Sequence, residues 1–370
     1  MRAGLYIHFP FCLSKCPYCH FYSVPYDSRL AGLWRTGLQK EIQRSAGRGI
    51  ELDTLYIGGG TPSLLRPGDI AEILSWLEPA FGLALKEVTL EANPCILDAA
   101  VLSGWKEAGI TRLSIGVQSF DDRLLRVLGR NYSARDALDF IESSRKAGFK
   151  NINLDMMLGI PGESRDSLGK SLDRLADLRP EHISLYMLEN LEGLPFEAVM
   201  KESPVDDDGV ADSFRLAAGR LKDLGLCHYE ISNFAAADRE CLHNLKYWMY
   251  EPFLGIGPSA CSHLGDERWC NREALDGWSR ALESGEAPSA ERIRLDEKEK
   301  IKEALVFGLR LVRGIDIPLF NSRFGTDIID LYRAEIRELQ EDGLLTAEGG
   351  VLRIPEDKLL VSNAVLSRFV

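Results

Sequence analysis

The sequence has no apolar run long enough to cross a membrane and no excess of positive charge. Its longest uncharged stretch, residues 252–265, is interrupted by Gly, Pro and Ser, whereas a membrane helix needs about 18 consecutive apolar residues. The 44 basic and 56 acidic side chains give a net charge of −12, which repels phosphate backbones and anionic lipids. We therefore expect no nucleic-acid partner, and any membrane association only through partner proteins.

Cysteine is also scarce, and the amino terminus lacks the features of a secretory leader. Eight cysteines in 370 residues are far fewer than a disulfide scaffold uses, and three of them cluster as metal ligands do. His8 and Pro10 interrupt the first apolar run, and no small-residue cleavage site follows it. These features predict a protein of the reducing cytoplasm.

Up to about residue 231 the sequence repeats a β-rich run, a loop and a helical pattern. Several helical patterns stop at a glycine, such as Gly109, Gly148 and Gly225, which can take the left-handed conformation that ends a helix. This alternation predicts an α/β fold with a parallel sheet, either doubly wound or a partial barrel. The six predicted strands are residues 5–8, 54–57, 87–91, 112–117, 151–155 and 182–188.

Polar residues stand at the carboxyl ends of three of these strands. Glu91, Gln118 and Asp155 each occupy such a position. Both barrels and open α/β sheets bind ligands at that edge. One cleft is therefore predicted there.

The chain divides into three predicted segments. Residues 1–231 carry the βα repeat, 232–289 form an aromatic and Gly-rich connection, and 290–370 form a small second domain. The last segment shows helical patterns at 297–312 and 326–341 and a hairpin signal at Gly349-Gly350, which together suggest a winged-helix-like domain. From Glu291 onward 13 basic and 15 acidic residues favour a packing or lid role over DNA binding.

The strongest chemical signal is the C-x3-C-x2-C run of Cys12, Cys16 and Cys19, directly after the first strand. Three thiolates fit a four-iron cluster with one iron left open for another ligand. A zinc site with His20 as fourth ligand is an alternative, although tight zinc knuckles draw their ligands from two separated pairs. Ordinary buried cysteines are a further alternative.

This run, with Tyr6-Ile7-His8-Phe9-Pro10-Phe11 before it, resembles the radical S-adenosylmethionine (SAM) superfamily, in which SAM chelates the open iron. The resemblance covers nearly the whole chain and points to the coproporphyrinogen dehydrogenase group and, within it, to HemW-type haem chaperones. It implies a partial (β/α)6 TIM-type barrel with a smaller C-terminal domain. It also implies a [4Fe–4S] cluster on Cys12, Cys16 and Cys19, with SAM as a second cofactor.

The resemblance assigns further residues to SAM. The Gly-rich loop after the second strand is expected to lie against the methionine moiety, its N–H groups facing a carboxylate; a plain tight turn is the alternative. Relatives can bind two SAM molecules, and Gln118, Arg130 and Asp155 match positions for either one. The full set is Tyr6, Tyr18, Gly59, Gly60, Thr61, Glu91, Gln118, Arg130 and Asp155.

Three features favour the chaperones over the dehydrogenase. Phe21 stands where the dehydrogenase carries a further cysteine, and only eleven residues precede Cys12. The segment from His243 to Trp248 resembles the H-N-x-x-Y-W motif of the HemW group, which makes His243 a candidate haem ligand; a histidine hydrogen-bonded in an aromatic junction is the alternative. Where many HemW sequences read G-P-G-A-H, this chain ends the segment in Cys261, so no haem role is assigned there.

The resulting expectation is a haem-binding chaperone that delivers haem to acceptor proteins and takes electrons from a donor. The alternative is an oxygen-independent coproporphyrinogen III dehydrogenase, which performs a radical oxidative decarboxylation. A non-catalytic iron–sulfur or zinc module is a third hypothesis, against which the retained Gly59, Glu91, Gln118 and Asp155 argue.

Overall fold

The computed structural model describes residues 1–94, 98–189 and 191–370. Six parallel strands form the centre of its largest sheet, and each overlaps one of the strands predicted from the sequence. Neighbours in sequence pair with one another throughout this group. The strands are β1 (Arg2–Phe9), β2 (Glu51–Gly59), β3 (Gly82–Ala92), β4 (Arg112–Gln118), β5 (Ile152–Leu158) and β6 (His182–Met187).

Further strands extend the sheet on both sides, and it does not close. Two short antiparallel strands follow β6, and four more lie beyond β1, the first of them parallel to β1. The arrangement is a partial barrel, as the resemblance implies. These outer strands are β7 (Cys227–Glu230), β8 (Asn233–Ala235), β9 (Phe253–Ile256), β10 (Cys261–Leu264), β11 (Glu267–Asn271) and β12 (Ser289–Arg294).

The helices pack against one face of this sheet because alternate strand residues supply an apolar surface. On β1, Leu5, Ile7 and Phe9 are buried in the main hydrophobic core, whereas Tyr6 and His8 point to the other face. The helices up to residue 283 are α1 (Ser28–Ser45), α2 (Pro67–Ala80), α3 (Ala99–Glu107), α4 (Asp122–Val127), α5 (Ala134–Lys146), α6 (Arg165–Leu178), α7 (Glu197–Glu202), α8 (Asp207–Asp223), α9 (Leu242–Trp248) and α10 (Leu275–Glu283).

The inner face of the barrel is polar. Facing positions of neighbouring strands carry Thr54 and Glu87, and farther along Ser114, Asn153 and His182. Asn153 donates from Nδ2 to Ser114 Oγ at 2.8 Å and accepts at Oδ1 from Ser184 Oγ at 3.2 Å. Because these buried polar side chains are hydrogen-bonded, the energetic cost of burying them is reduced. The interior of the barrel is therefore a polar network rather than a second apolar core.

The C-terminal part has its own hydrophobic core and a three-stranded sheet of β13 (Ile315–Asp316), β14 (Thr346–Glu348) and β15 (Val351–Arg353). The predicted hairpin is confirmed, with Gly349 and Gly350 both at positive φ. The helix predicted at 297–312 ends earlier, and the one predicted at 326–341 is broken at Tyr332, whose φ of −117° and ψ of 34° are not helical. The helices are α11 (Glu297–Gly308), α12 (Ile317–Phe324), α13 (Ile328–Leu331), α14 (Arg333–Glu341) and α15 (Ser362–Leu366).

The large sheet crosses both predicted segment boundaries. Its strands β7 and β8 lie on either side of residue 231, and β12 spans residue 290 while pairing with β11. The division into three segments stays a prediction. Over the described ranges, none of the helices combines the length and the apolar character that a bilayer crossing requires.

Candidate cofactor site

The three motif cysteines lie in the loop that follows β1, at the carboxyl edge of the sheet. Cys12 ends a two-residue strand, Phe11–Cys12, that pairs with Val24–Pro25. A turn follows in which the Cys19 N–H donates to the Cys16 carbonyl at 3.1 Å. All three cysteines are free and half-buried.

The thiol of Cys19 is influenced by its burial and by the other two motif cysteines. Burial raises the pKa of Cys19, and Cys16 and Cys12 raise it further. Thr61 donates from Oγ1 to Cys12 Sγ at 3.5 Å. Among the described residues no group of three or more His, Cys, Asp and Glu side chains converges on a single metal ion. A donor set of three thiols in one short loop fits an iron–sulfur cluster.

The Gly-rich loop ends β2 beside this cysteine loop. Gly59 has φ +112°, and a Cβ there would lie 2.6 Å from the His8 ring; a Cβ on Gly60 would lie 2.5 Å from the Phe11 carbonyl oxygen. Glycine is therefore needed because the two loops touch. The N–H groups of Gly60 and Thr61 donate to the Phe9 and Phe11 carbonyls at 2.7 and 2.8 Å, and the expected contact of this loop with a ligand carboxylate stays a prediction.

Glu91 lies at the end of β3, with its carboxylate turned toward the Gly-rich loop. Oε2 accepts from the Gly59 N–H at 3.0 Å, and Oε1 accepts from the Tyr56 hydroxyl at 2.9 Å. Burial and the Asp155 carboxylate raise the pKa of Glu91 to about 7. Burial likewise raises the pKa of Asp155, whose Oδ1 accepts from Asn153 at 2.7 Å. The lumen thus holds two acids that resist ionisation and would favour a cation between them.

Arg130 joins this edge of the sheet to the cysteine loop. Its Nε donates to the Tyr18 hydroxyl at 3.0 Å, and its Nη1 donates to Asn93 Oδ1 at 3.0 Å. Asn93 Nδ2 in turn donates to Thr61 Oγ1 at 3.3 Å. A continuous chain of hydrogen bonds therefore runs from Arg130 through Asn93 and Thr61 to the sulfur of Cys12.

Two predicted residues line the same face from strands β1 and β4. Tyr6 lies on β1, and its hydroxyl is 3.1 Å from His8 Nδ1. Gln118 ends β4 in the left-handed region at φ 65°, next to a register shift against β5. A non-glycine residue at positive φ is uncommon and often marks a functional position.

Sequence reasoning missed two residues of this network, Asn93 and Tyr56. Asn93 follows Glu91 by two positions and so falls on the same side of the extended chain. Tyr56 lies on β2, two positions before Gly58, the first glycine of the Gly-rich loop, and would have been found by the same rule. Residues two positions apart on a strand point to the same side. Applied to the residues around each motif, this rule could have identified both.

The structure does not bring His243 to this edge. It lies on α9 and contacts Thr54, which precedes Gly59 by five residues, or roughly 16 Å along a strand. His243 is 1% exposed, and its Nδ1 and Nε2 lie 2.9 and 2.8 Å from the hydroxyls of Thr54 and Tyr247. Burial and Lys246 lower its pKa to about 3. Both ring nitrogens are engaged, as in the alternative of a hydrogen-bonded histidine.

Comparison with known proteins assigns the family. Residues 6–175 match the radical SAM superfamily, and residues 295–357 match the HemN C-terminal domain. The heme chaperone HemW of Bacillus subtilis is 30% identical over 99% of this chain and 98% of its own length. The chain belongs to the HemW family of radical SAM proteins.

Other proteins are similar to this chain over most of its length. The heme chaperone HemW of Mycobacterium tuberculosis is 32% identical, with 98% of this chain and 93% of the relative covered. The mitochondrial radical S-adenosyl methionine domain-containing protein 1 of Bos taurus is 33% identical over 99% of this chain and 86% of its own. The HemN coproporphyrinogen III oxidase from Escherichia coli shares the fold, with a TM-score of 0.87 at 22% identity over 100% of this chain and 90% of that one.

Radical SAM membership implies SAM and a [4Fe–4S] cluster as cofactors. The cysteine loop supplies three thiols, and the adjoining edge supplies the carboxylates of Glu91 and Asp155 and the guanidinium of Arg130. Acids beside a basic group suit SAM, which carries a sulfonium, an ammonium and a carboxylate. The residues present therefore fit the two cofactors.

Proposed function

We propose that this protein is a haem chaperone that binds haem and delivers it to acceptor proteins, with a [4Fe–4S] cluster and SAM as its cofactors. The observation that carries the proposal is similarity along the whole chain to proteins named heme chaperone HemW. The acceptor proteins and an electron donor belong to the proposal, as does a cytoplasmic location.

The residues have distinct roles in this proposal. Cys12, Cys16 and Cys19 would hold the cluster, which would supply reducing electrons for chemistry on SAM. Glu91 and Asp155 would face the positive groups of SAM, whose charge would favour their ionised forms. Gly59 keeps the Glu91 carboxylate in place through its N–H.

Arg130 fixes the geometry between the cysteine loop and the sheet. Its guanidinium holds Tyr18 from the cysteine loop and Asn93 from the end of β3 at the same time. A planar guanidinium with several donors suits this bridging role, and a lysine would not reproduce it. The SAM carboxylate is an apt further partner for this cation.

The second candidate is oxygen-independent coproporphyrinogen III dehydrogenase activity, which the fold shared with HemN favours. Phe21 argues for the chaperone, because it occupies the position of the dehydrogenase's further cysteine and cannot ligate metal. Phe21 is 56% exposed.

The chaperone and dehydrogenase functions predict different results in one assay. Cluster-loaded protein is incubated without oxygen with coproporphyrinogen III, SAM and a strong reductant, and porphyrins are separated by chromatography. We expect no vinyl-bearing product while a known dehydrogenase turns over in parallel. Vinyl product would establish the dehydrogenase. In a companion experiment the protein is mixed with haem and desalted, and loss of all haem would refute the chaperone.

A further inference from the structure

The histidines of this chain differ sharply in their access to a ligand. All six lie in described parts of the chain, and four of them are at most 5% exposed, namely His8, His182, His243 and His263. The side chain of His228 is 4% exposed and stacks on Phe234 with ring centroids 4.2 Å apart. His20 alone among them is exposed.

Three of the buried rings also have both nitrogens engaged. His8 contacts the Tyr6 hydroxyl and the Tyr22 carbonyl. His182 contacts Asn153 and the Tyr229 hydroxyl, and His243 contacts two hydroxyls as described above. An imidazole binds haem iron through a free ring nitrogen, so iron could reach these three only after the barrel had opened.

His20 stands in surroundings that suit a porphyrin. Its ring centroid lies 4.4 Å from that of Phe21, and Phe21 and Leu13 are 56% and 68% exposed. Two large exposed apolar side chains in one short loop leave apolar area that an apolar partner can cover. Aromatic rings stack well on flat π-systems.

The same loop provides positive charge. Lys15 is exposed and donates from Nζ to the Phe21 carbonyl at 3.0 Å, so its ammonium lies at the border of the apolar surface. Haem carries two anionic propionates and is otherwise apolar. The surface of Leu13, Lys15, His20 and Phe21, here called the loop surface, therefore matches haem in polarity and in charge.

We propose that haem binds the loop surface, with His20 as an axial ligand of its iron and Lys15 beside a propionate. This inference rests on the proposed function and replaces His243 with His20 as the ligand. Since His20 adjoins Cys19, the proposal places the cargo directly beside the cluster.

The test is a titration of ferric haem into cluster-loaded full-length protein and into its His20→Ala and His20→Met variants, followed through the Soret band. We expect His20→Ala to weaken haem binding about tenfold or more, since an iron ligand is lost. Methionine also ligates haem iron, so His20→Met is expected to retain binding with a shifted Soret maximum. Iron and sulfide content checks that the cluster is intact in each protein.

Iron-free protoporphyrin IX serves as the matched ligand control. It fills the loop surface without an iron bond, and we expect wild type and His20→Ala to bind it equally. Haem binding to His20→Ala with unchanged affinity and spectrum would overturn the proposal. Equal loss of both porphyrins would also overturn the ligand assignment, because it would show that His20 shapes the surface. Wild type that binds neither porphyrin would instead refute the chaperone function.

Discussion

His243 Nδ1 lies 2.9 Å from Oγ1 of Thr54, deep inside the barrel. The same helix is fixed at its start by Glu87, whose Oε1 accepts from the His243 N–H at 3.1 Å, and by Lys246, whose Nζ donates to Asp53 at 2.9 Å. Helix α9 therefore fills the part of the lumen that lies away from the cysteines. In this conformation the H-N-x-x-Y-W motif occupies the barrel interior and is hydrogen-bonded to the surrounding strands.

Replacing Thr54 with Val tests the hydrogen bond between Thr54 and His243. Valine matches the shape of threonine but leaves Nδ1 of buried His243 without its partner, so we expect a loss of roughly 1–3 kcal/mol in the free energy of unfolding. Denaturant unfolding measures it. Thr36→Val, on the exposed face of α1, is the control and is expected to stay within about 0.5 kcal/mol of wild type. An unchanged Thr54→Val protein would contradict the structural role of this contact.

The sequence was sufficient to predict the strands, but it did not predict where the H-N-x-x-Y-W motif lies in the fold. Each strand is a β-rich run and several helices end at a glycine, and such local signals predict local structure. His243 meets Thr54 across 189 positions of chain, and no local pattern records that contact. The resemblance named the motif, whereas only the fold shows that its histidine is enclosed.

The carboxyl edge was predicted more fully because parallel strands place their ends together. Placing Glu91 and Asp155 at the carboxyl ends of their predicted strands was enough to expect one cleft, although β5 continues to Leu158 and Asp155 lies at its middle. The link from Arg130 through Asn93 to Thr61 was not predicted, since it depends on side-chain directions in three separate loops. The raised pKa of Glu91 also required knowledge of its burial.

Replacing Cys16 with Ala tests the cluster assignment. Two thiols cannot retain a cubane in a defined site, so we expect the iron content and SAM cleavage to be lost together. Iron and sulfide analysis with EPR measures the first, and chromatography of SAM products the second. Cys227→Ala, which removes an exposed free thiol on β7, is the control and should keep both. A brown Cys16→Ala protein whose EPR spectrum still responds to SAM would refute the assignment.

Replacing Gly59 with Ala tests the contact between the two loops. The new Cβ would need a φ of +112° and would lie 2.6 Å from the His8 ring, so we expect destabilisation by more than about 1 kcal/mol and weaker SAM binding. Gly169→Ala is the matched control, because Gly169 lies within α6 with open space around it. That change should stabilise the protein by roughly 1 kcal/mol. Thermal or chemical unfolding measures the stability change of each variant relative to wild type. Changes of the same sign in both variants would contradict the need for glycine at position 59.

Replacing Glu91 with Gln tests the buried acid through its pH dependence. The folded-state pKa of Glu91 is raised to about 7, so the folded protein holds this proton more tightly than the unfolded chain, whose glutamate titrates near 4.3. The contribution of Glu91 to the free energy of unfolding is therefore complete below about pH 4.3. It is lost as the pH rises to about 7, and the loss is up to roughly 3 kcal/mol.

Glutamine cannot titrate, so the free energy of unfolding of Glu91→Gln relative to wild type should rise between about pH 4.3 and 7 and be level outside that window. Urea unfolding at a series of pH values measures this difference. Subtracting the wild-type values removes the contributions of other buried acids, such as Glu41. SAM affinity of the wild type should increase with pH across the same window, because the cation favours ionised Glu91. A difference curve that is flat through pH 7 would show that Glu91 is already ionised in the folded protein.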